Sequence, residues 1–149
     1  MKKYILTALV VGSVAATAQA ETFTYEVEFS DPAFVGGLGE GGRYGRGGTM
    51  DGNYTTTFSD GRVEEGKADC VGMDQPPGSM FEVHIACTAS ETSGNRAHII
   101  YGCNSLGEDK GYSCVGGIEA TAGAQKGARG TLTMHLRRGV SVGTGQWYE

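Results

Sequence analysis

The sequence has almost no helical pattern. After its first twenty residues, no stretch shows apolar residues recurring every three or four positions, and no apolar run is long enough to span a membrane as a helix. These absences exclude a helical bundle and a helical membrane protein. They also argue against a parallel α/β fold, which needs helices between its strands.

Basic residues are also few. The chain has 12 Lys and Arg against 17 Asp and Glu, with a formal net charge of −5 at pH 7. An acidic chain does not attract nucleic acid or an anionic membrane surface through its field. Arg43-Tyr44-Gly45-Arg46 has the composition of an arginine–glycine RNA-binding segment, but two arginines make a weak basic patch. We therefore predict no nucleic-acid partner.

The N-terminal segment carries the one long apolar run. Lys2 and Lys3 precede apolar residues from Ile5 to Ala18, and Ala18-Gln19-Ala20 has the small residues that signal peptidase accepts. The pattern predicts a secretory signal peptide over 1–20 and a single domain over 21–149, periplasmic or secreted. A buried N-terminal helix is the alternative.

Closely spaced cysteine pairs, which zinc sites favour, are absent. The four cysteines are Cys70, Cys87, Cys103 and Cys114, and an even number in an exported chain predicts disulfides. We therefore predict no metal site and no free thiol that could act as a nucleophile.

Alternation of apolar and polar residues recurs along the chain, as in half-buried strands. It predicts eight short strands, near residues 22–29, 54–58, 63–71, 81–89, 97–103, 112–118, 132–136 and 142–148. Eight strands at hairpin spacing predict an all-β fold, either an antiparallel barrel or a sandwich. We favour an eight-stranded barrel because it leaves no edge strand.

An outer-membrane barrel is the architectural alternative. The predicted strands are short for spanning a bilayer, and the chain ends Trp147-Tyr148-Glu149 instead of on an aromatic residue. We therefore predict no stable membrane insertion.

The cysteines share the apolar phase of their strands, so all four should face the interior. Cys70 and Cys87 flank the turn at Pro76-Pro77-Gly78-Ser79, and Cys103 and Cys114 flank the loop from 104 to 111. Directly opposed residues on one face of a hairpin lie within disulfide reach. We predict the bonds Cys70–Cys87 and Cys103–Cys114.

A glycine-rich stretch runs from 36 to 52. Residues 37–42 match G-x-G-x-x-G, but no helix pattern follows, so the match does not predict a nucleotide site. We predict a flexible loop at one end of the barrel instead.

Catalytic motifs are missing as well. No Ser or Cys lies in a nucleophile motif, and His84, His98 and His135 fall on the polar phase of three different strands. The carboxylates, Glu64 among them, are assigned to the outer face, although a buried acid at the barrel mouth stays open. We predict no cofactor and name no catalytic residue.

The glycine-punctuated stretch from Cys114 to Thr133, followed by Gly143-Thr144-Gly145-Gln146-Trp147, resembles the closing strands of allene oxide cyclase-like and dirigent-like barrels. The resemblance implies an eight-stranded barrel. In those families polar and acidic residues inside the barrel control cyclisation or radical coupling, but none of them matches a position here. Thr121 and Ala122 also depart from the families' glycine-centred pair.

The inner face of the predicted barrel is rich in aromatic residues. The candidate ligand-binding residues are Phe23, Tyr25, Phe58, Phe81, Tyr101 and Tyr112. An eight-stranded barrel either fills with side chains or admits one small ligand. We favour a non-catalytic barrel that binds a small apolar molecule or partner. An isomerase or cyclase with one buried carboxylate and a structural envelope protein are the alternatives.

Overall fold

The computed structural model of the chain describes residues 20–30, 32–36 and 45–148. The signal peptide predicted over 1–20 therefore lies almost entirely outside the described residues, as does the G-x-G-x-x-G match at 37–42. The described residues form nine β-strands and no helix. The strands are β1 (Thr22–Phe29), β2 (Ala33–Val35), β3 (Gly47–Phe58), β4 (Val63–Asp74), β5 (Val83–Glu91), β6 (Arg96–Ser105), β7 (Tyr112–Ala122), β8 (Arg129–Arg137) and β9 (Val140–Trp147).

Eight of these strands form a closed antiparallel barrel. From β3 to β9, each strand pairs with the next along the chain. The barrel closes on β1, where Glu26 is paired with Val142 of β9 on one side and with Thr55 of β3 on the other. The predicted eight-stranded barrel is confirmed. Closure gives β1 a hydrogen-bonded neighbour along both sides, so the barrel strands have no open edge.

The interior follows from the alternation of side chains along the strands. Successive residues point to opposite faces, so one set of apolar residues faces the axis and the other faces solvent. Every barrel strand contributes buried core residues, and β9 does so through its last residue. They include Phe23, Val27, Phe58, Ala68, Ile85, Tyr101, Ile118, Leu132, Met134 and Trp147.

The glycine-rich stretch contributes strand as well as connection. β3 begins at Gly47, so the predicted loop over 36–52 is wrong for 47–52. The strand forms there because β4 pairs with it over its whole length. The short β2 adds to the same end of β3, and the Phe34 ring covers Gly48, where a Cβ would lie less than 3.0 Å from that ring.

Both predicted disulfides are confirmed. All four cysteines lie in the described part of the chain, and Cys70–Cys87 joins β4 to β5 while Cys103–Cys114 joins β6 to β7. In each pair the two residues are directly opposed in the strand register. Two disulfides are compatible with a protein that lies outside the cytoplasm.

Candidate functional site

Aromatic rings pack against the inner wall at positions where the neighbouring, paired strand carries glycine. Phe23 lies over Gly145, and Tyr25 lies over Gly143. A Cβ on either glycine would lie less than 3.0 Å from the ring, which real contacts do not allow. Aromatic rings over cross-strand glycines are a known device for packing sheets. Here it draws the large side chains to the wall and leaves space near the axis.

Tyr54 and Tyr101 follow the same rule from other strands. Tyr54 is paired with Gly66 of β4, and Tyr101 with Gly116 of β7. In both cases a Cβ on the glycine would collide with the ring of the tyrosine. The high glycine content, 26 residues in the chain, thus serves interior packing as well as turns.

The space that remains includes two cavities lined by described residues. One, of about 90 Å³, lies toward the end of the barrel where β4 begins and β5 ends, and we call it the first cavity. The second, of about 80 Å³, lies toward the opposite end. The two have no lining residue in common.

Four of the six aromatic residues predicted as a ligand site line the first cavity. They are Phe23, Tyr25, Phe58 and Tyr101. Tyr112 instead lines the second cavity, so the structure does not bring the predicted set together.

Phe81 lies outside the barrel, contrary to its predicted interior position. β5 begins only at Val83, so Phe81 belongs to the preceding turn and does not continue the alternation of that strand. Its ring covers the outer face of Gly102 and lies 5.9 Å from the ring of His84.

Two tyrosine hydroxyl groups form a short hydrogen-bonded chain in the first cavity. The Tyr25 hydroxyl donates to the carbonyl oxygen of Thr133 at 2.8 Å, so Tyr101 must donate the 2.8 Å bond between the two hydroxyls. Burial raises the pKa of Tyr25 to about 12, and the hydrogen bond from Tyr101 opposes the rise. Burial also raises the pKa of Tyr101, and Tyr25 adds to that shift. Both phenols are therefore neutral, and their donors are already satisfied.

The mouth of the first cavity holds the charged groups. Glu64 lines the cavity, and its carboxyl group interacts with that of Glu91. Burial raises the pKa of Glu64, and Glu91 raises it further through the hydrogen bond and its negative charge, while Arg62 opposes the shift. At the cavity entrance Glu64 is therefore a weaker acid than an exposed glutamate.

Surrounding side chains fix both carboxyl groups. Glu91 accepts hydrogen bonds from Asn95 Nδ2 at 2.6 Å and from Ser93 Oγ at 2.7 Å. The Arg62 guanidinium contacts Glu64 and Glu21 and lies over the Phe58 ring, with Cζ 3.8 Å from its centroid.

Tyr54 completes the mouth from the side of β3. Burial raises its pKa, and the negative charges of Glu91 and Glu64 raise it further. Its hydroxyl group is therefore neutral. Together with the Glu64 carboxyl group it places hydrogen-bonding groups beside an otherwise apolar cavity.

The sequence analysis placed Glu64 on the outer face, and this assignment is wrong. Strand β4 has polar residues on both faces near its start, so polarity alone does not identify the inner one. The cysteines do identify it. Counting back by twos from Cys70 places Glu64 inside, and counting forward by twos from Cys87 places Glu91 inside.

The opposite end of the barrel is held by an ion pair. Asp74 is 6% exposed, and its Oδ2 lies 3.5 Å from Nε of Arg46. The Arg46 guanidinium also lies over the Phe34 ring, with Cζ 4.8 Å from the centroid. Because Asp74 already has this cationic partner, we interpret the ion pair as a structural closure of this end.

Neither a comparison with protein-family models nor one with curated proteins finds a match for this chain. Within residues 20–30, 32–36 and 45–148, no three His, Cys, Asp or Glu side chains are arranged to hold a metal ion. The same residues contain no helix that is long and apolar enough to cross a membrane.

Proposed function

We propose that this protein is an exported, non-catalytic barrel, periplasmic or secreted, that binds one small apolar molecule with a single neutral polar end. The observation that carries the proposal is the first cavity, whose walls are aromatic and aliphatic and whose polar groups gather at its mouth. Apolar walls with a few placed polar groups are the usual composition of a small-molecule site.

The cavity volume limits the size of the ligand. At about 90 Å³ it is well below the several hundred cubic ångströms of a typical drug-sized site. The buried part of the ligand is therefore a small ring or a short alkyl chain. A larger molecule would have to leave most of its surface outside the barrel.

The mouth favours a neutral polar end on that ligand. Glu21, Glu64 and Glu91 supply carboxyl groups there, and Arg62 is already bonded to two of them. A ligand carboxylate would meet like charges in a partly desolvated setting, which is unfavourable. A ligand hydroxyl group can instead donate a hydrogen bond to a carboxyl oxygen of Glu91 or Glu64. Phenol and cyclohexanol have this shape.

Calorimetric titration with phenol, cyclohexanol and 1-hexanol tests the proposal. Ala89 lines the first cavity, so Ala89→Leu should fill it and abolish binding. Ala86 lies on the same strand and is exposed on the outer face, so Ala86→Leu is the matched control and should bind as the wild type does. The proposal fails if none of the three compounds binds the wild type, or if both variants bind equally.

A second candidate is an isomerase or cyclase similar to allene oxide cyclase. The observation in its favour is Glu64, an inward carboxyl group whose pKa is raised by burial and by Glu91, the direction of shift that a general acid needs. The small cavity argues against a long-chain substrate. Stereoselective cyclisation of an allene oxide generated in the assay, abolished by Glu64→Gln, would support this candidate. A racemic product, unchanged by the protein, would contradict it.

A further inference from the structure

Trp147 carries a buried polar group without a partner. It is the last residue of β9 and the only tryptophan of the chain. Its side chain lines the first cavity and is 9% exposed. The indole Nε1–H is buried and has no hydrogen-bond partner within residues 20–30, 32–36 and 45–148. Because buried donors are nearly always paired in native proteins, this one needs an explanation.

The indole is held in place by its neighbours. The backbone N–H of Trp147 donates to the carbonyl oxygen of Glu21 at 2.9 Å. The Trp147 and Phe23 rings pack against each other with their centroids 6.0 Å apart, and Phe23 in turn lies over Gly145. The unpaired N–H therefore belongs to a packed part of the cavity wall, where solvent does not take the place of a partner.

Other donors of the same wall already have acceptors. The hydroxyl groups of Tyr25 and Tyr101 both donate within the hydrogen-bonded chain described above. Gln125 lines the first cavity as well, and its Nε2 donates to Oε2 of Glu21 at 3.1 Å. Trp147 differs from these three residues because its donor is unused. The space that its side chain borders is the first cavity, so a molecule that fills this cavity can supply the missing acceptor.

Trp147 lies across the barrel from the carboxyl groups of the mouth. Trp147 and Glu91 are the last residues of β9 and β5, and these two strands run in the same direction, so both residues lie at the same end of the barrel. Around the closed barrel, β6, β7 and β8 separate the two strands on one side, and β4, β3 and β1 separate them on the other. The polar end of a ligand at this mouth therefore meets acceptor oxygens from one side and an N–H donor from the opposite side.

We infer that Trp147 is a specificity-determining residue of the first cavity, whose Nε1–H donates a hydrogen bond to an acceptor oxygen of the ligand. The inference rests on the proposed binding function and narrows its ligand class. A small alcohol, phenol or carboxamide both accepts and donates, and so satisfies both sides of the mouth. A hydrocarbon leaves the Trp147 donor unpaired, and so does an ammonium group, which has no acceptor atom.

Two ligands of the same shape test this inference. Cyclopentanone has a carbonyl oxygen where methylenecyclopentane has a CH₂ group, and neither compound carries a donor. Calorimetric titration gives the ratio of their dissociation constants. In Trp147→Phe the preference for cyclopentanone should fall about 5–10-fold relative to the wild type, as the loss of one hydrogen bond predicts. Phe23→Leu is the matched control, because it changes the same wall without removing a donor and should leave the preference unchanged.

The wild type alone provides a second measurement. Because the chain has one tryptophan, its nitrogen–proton NMR spectrum contains a single indole resonance, which reports on Trp147 directly. We expect the indole proton to shift downfield with cyclopentanone and not with methylenecyclopentane. An equal response to both compounds, or a preference that Trp147→Phe leaves unchanged, would overturn the inference and leave the proposed function standing. If neither compound nor phenol binds the wild type, the inference and the proposed function fail together.

Discussion

At the scale of single residues, Glu64 and Glu91 determine the charge at the mouth of the first cavity. Burial and the neighbouring Glu91 raise the pKa of Glu64, and Arg62 lowers it. Because the folded state raises the pKa of Glu64, it favours the protonated form more than the unfolded chain does. The contribution of Glu64 to stability is therefore complete below its unfolded pKa near 4.5 and is lost as the pH rises through the folded pKa.

Replacing Glu64 by Gln should remove this pH dependence. As the pH rises above about 4.5, the free energy of unfolding of the wild type should fall relative to that of Glu64→Gln. Urea unfolding across this pH range measures it. Glu65→Gln, on the exposed outer face of the same strand, is the control for replacing a carboxyl group by an amide, and the profile of Glu64→Gln is compared with it. A profile for Glu64→Gln that matches the control would contradict the raised pKa of Glu64.

Gly143 is a residue at which one added methyl group should have a large effect. Its Cβ would collide with the Tyr25 ring and with the carbonyl oxygen of Thr133. We expect Gly143→Ala to lower the free energy of unfolding by about 1–3 kcal/mol, as overpacking does. Gly117→Ala is the control, because the nearest atom to its Cβ would be 3.9 Å away. It should change stability by less than about 0.5 kcal/mol. Equal effects would contradict the packing of aromatic rings over glycines.

At the scale of the strands, the sequence allows the pairing of the strands to be predicted better than the face on which each side chain lies. Each disulfide lies within one hairpin, and the four cysteines together determine which face of β4 to β7 is internal. Counting by twos from the cysteines would also have identified Glu64 and Glu91 as inward residues. Phe81 could not be placed in this way, because a turn breaks the alternation before β5 begins. The start of β3 at Gly47 could not be predicted, because glycine has no side chain that could be part of an apolar–polar alternation. Only the pairing with β4 shows that the strand begins there.

The two hairpin disulfides should stabilise the fold similarly and affect the cavity differently. They close loops with sequence separations of 17 and 11 residues, each worth about 3 kcal/mol. Cys70 and Cys87 both line the first cavity, so Cys70→Ala/Cys87→Ala should also change the affinity for phenol. Cys103→Ala/Cys114→Ala should lose stability without that change. Denaturant unfolding and calorimetry measure the two effects, and identical effects of both pairs on phenol affinity would contradict the cavity assignment.

At the scale of the whole molecule, the two ends of the barrel have different roles. One end is closed by the Asp74–Arg46 ion pair, and the other presents a carboxyl pair at the mouth of the first cavity. The barrel itself was predictable from alternation and hairpin spacing. The cavity was not, because its volume depends on which aromatic ring lies over which glycine across the closed sheet. That pairing is set by the register of all eight strands together.

The most direct test of the binding proposal is an NMR measurement of contacts between phenol and the methyl groups of the protein. We predict intermolecular NOEs from the phenol ring to Ile99, Ile118 and Leu132, which line the first cavity. No NOEs should connect it to Val71, Ile100 or Val115, which are exposed on the outer wall. NOEs confined to those outer residues, or no intermolecular NOE at saturating phenol, would contradict binding inside the barrel.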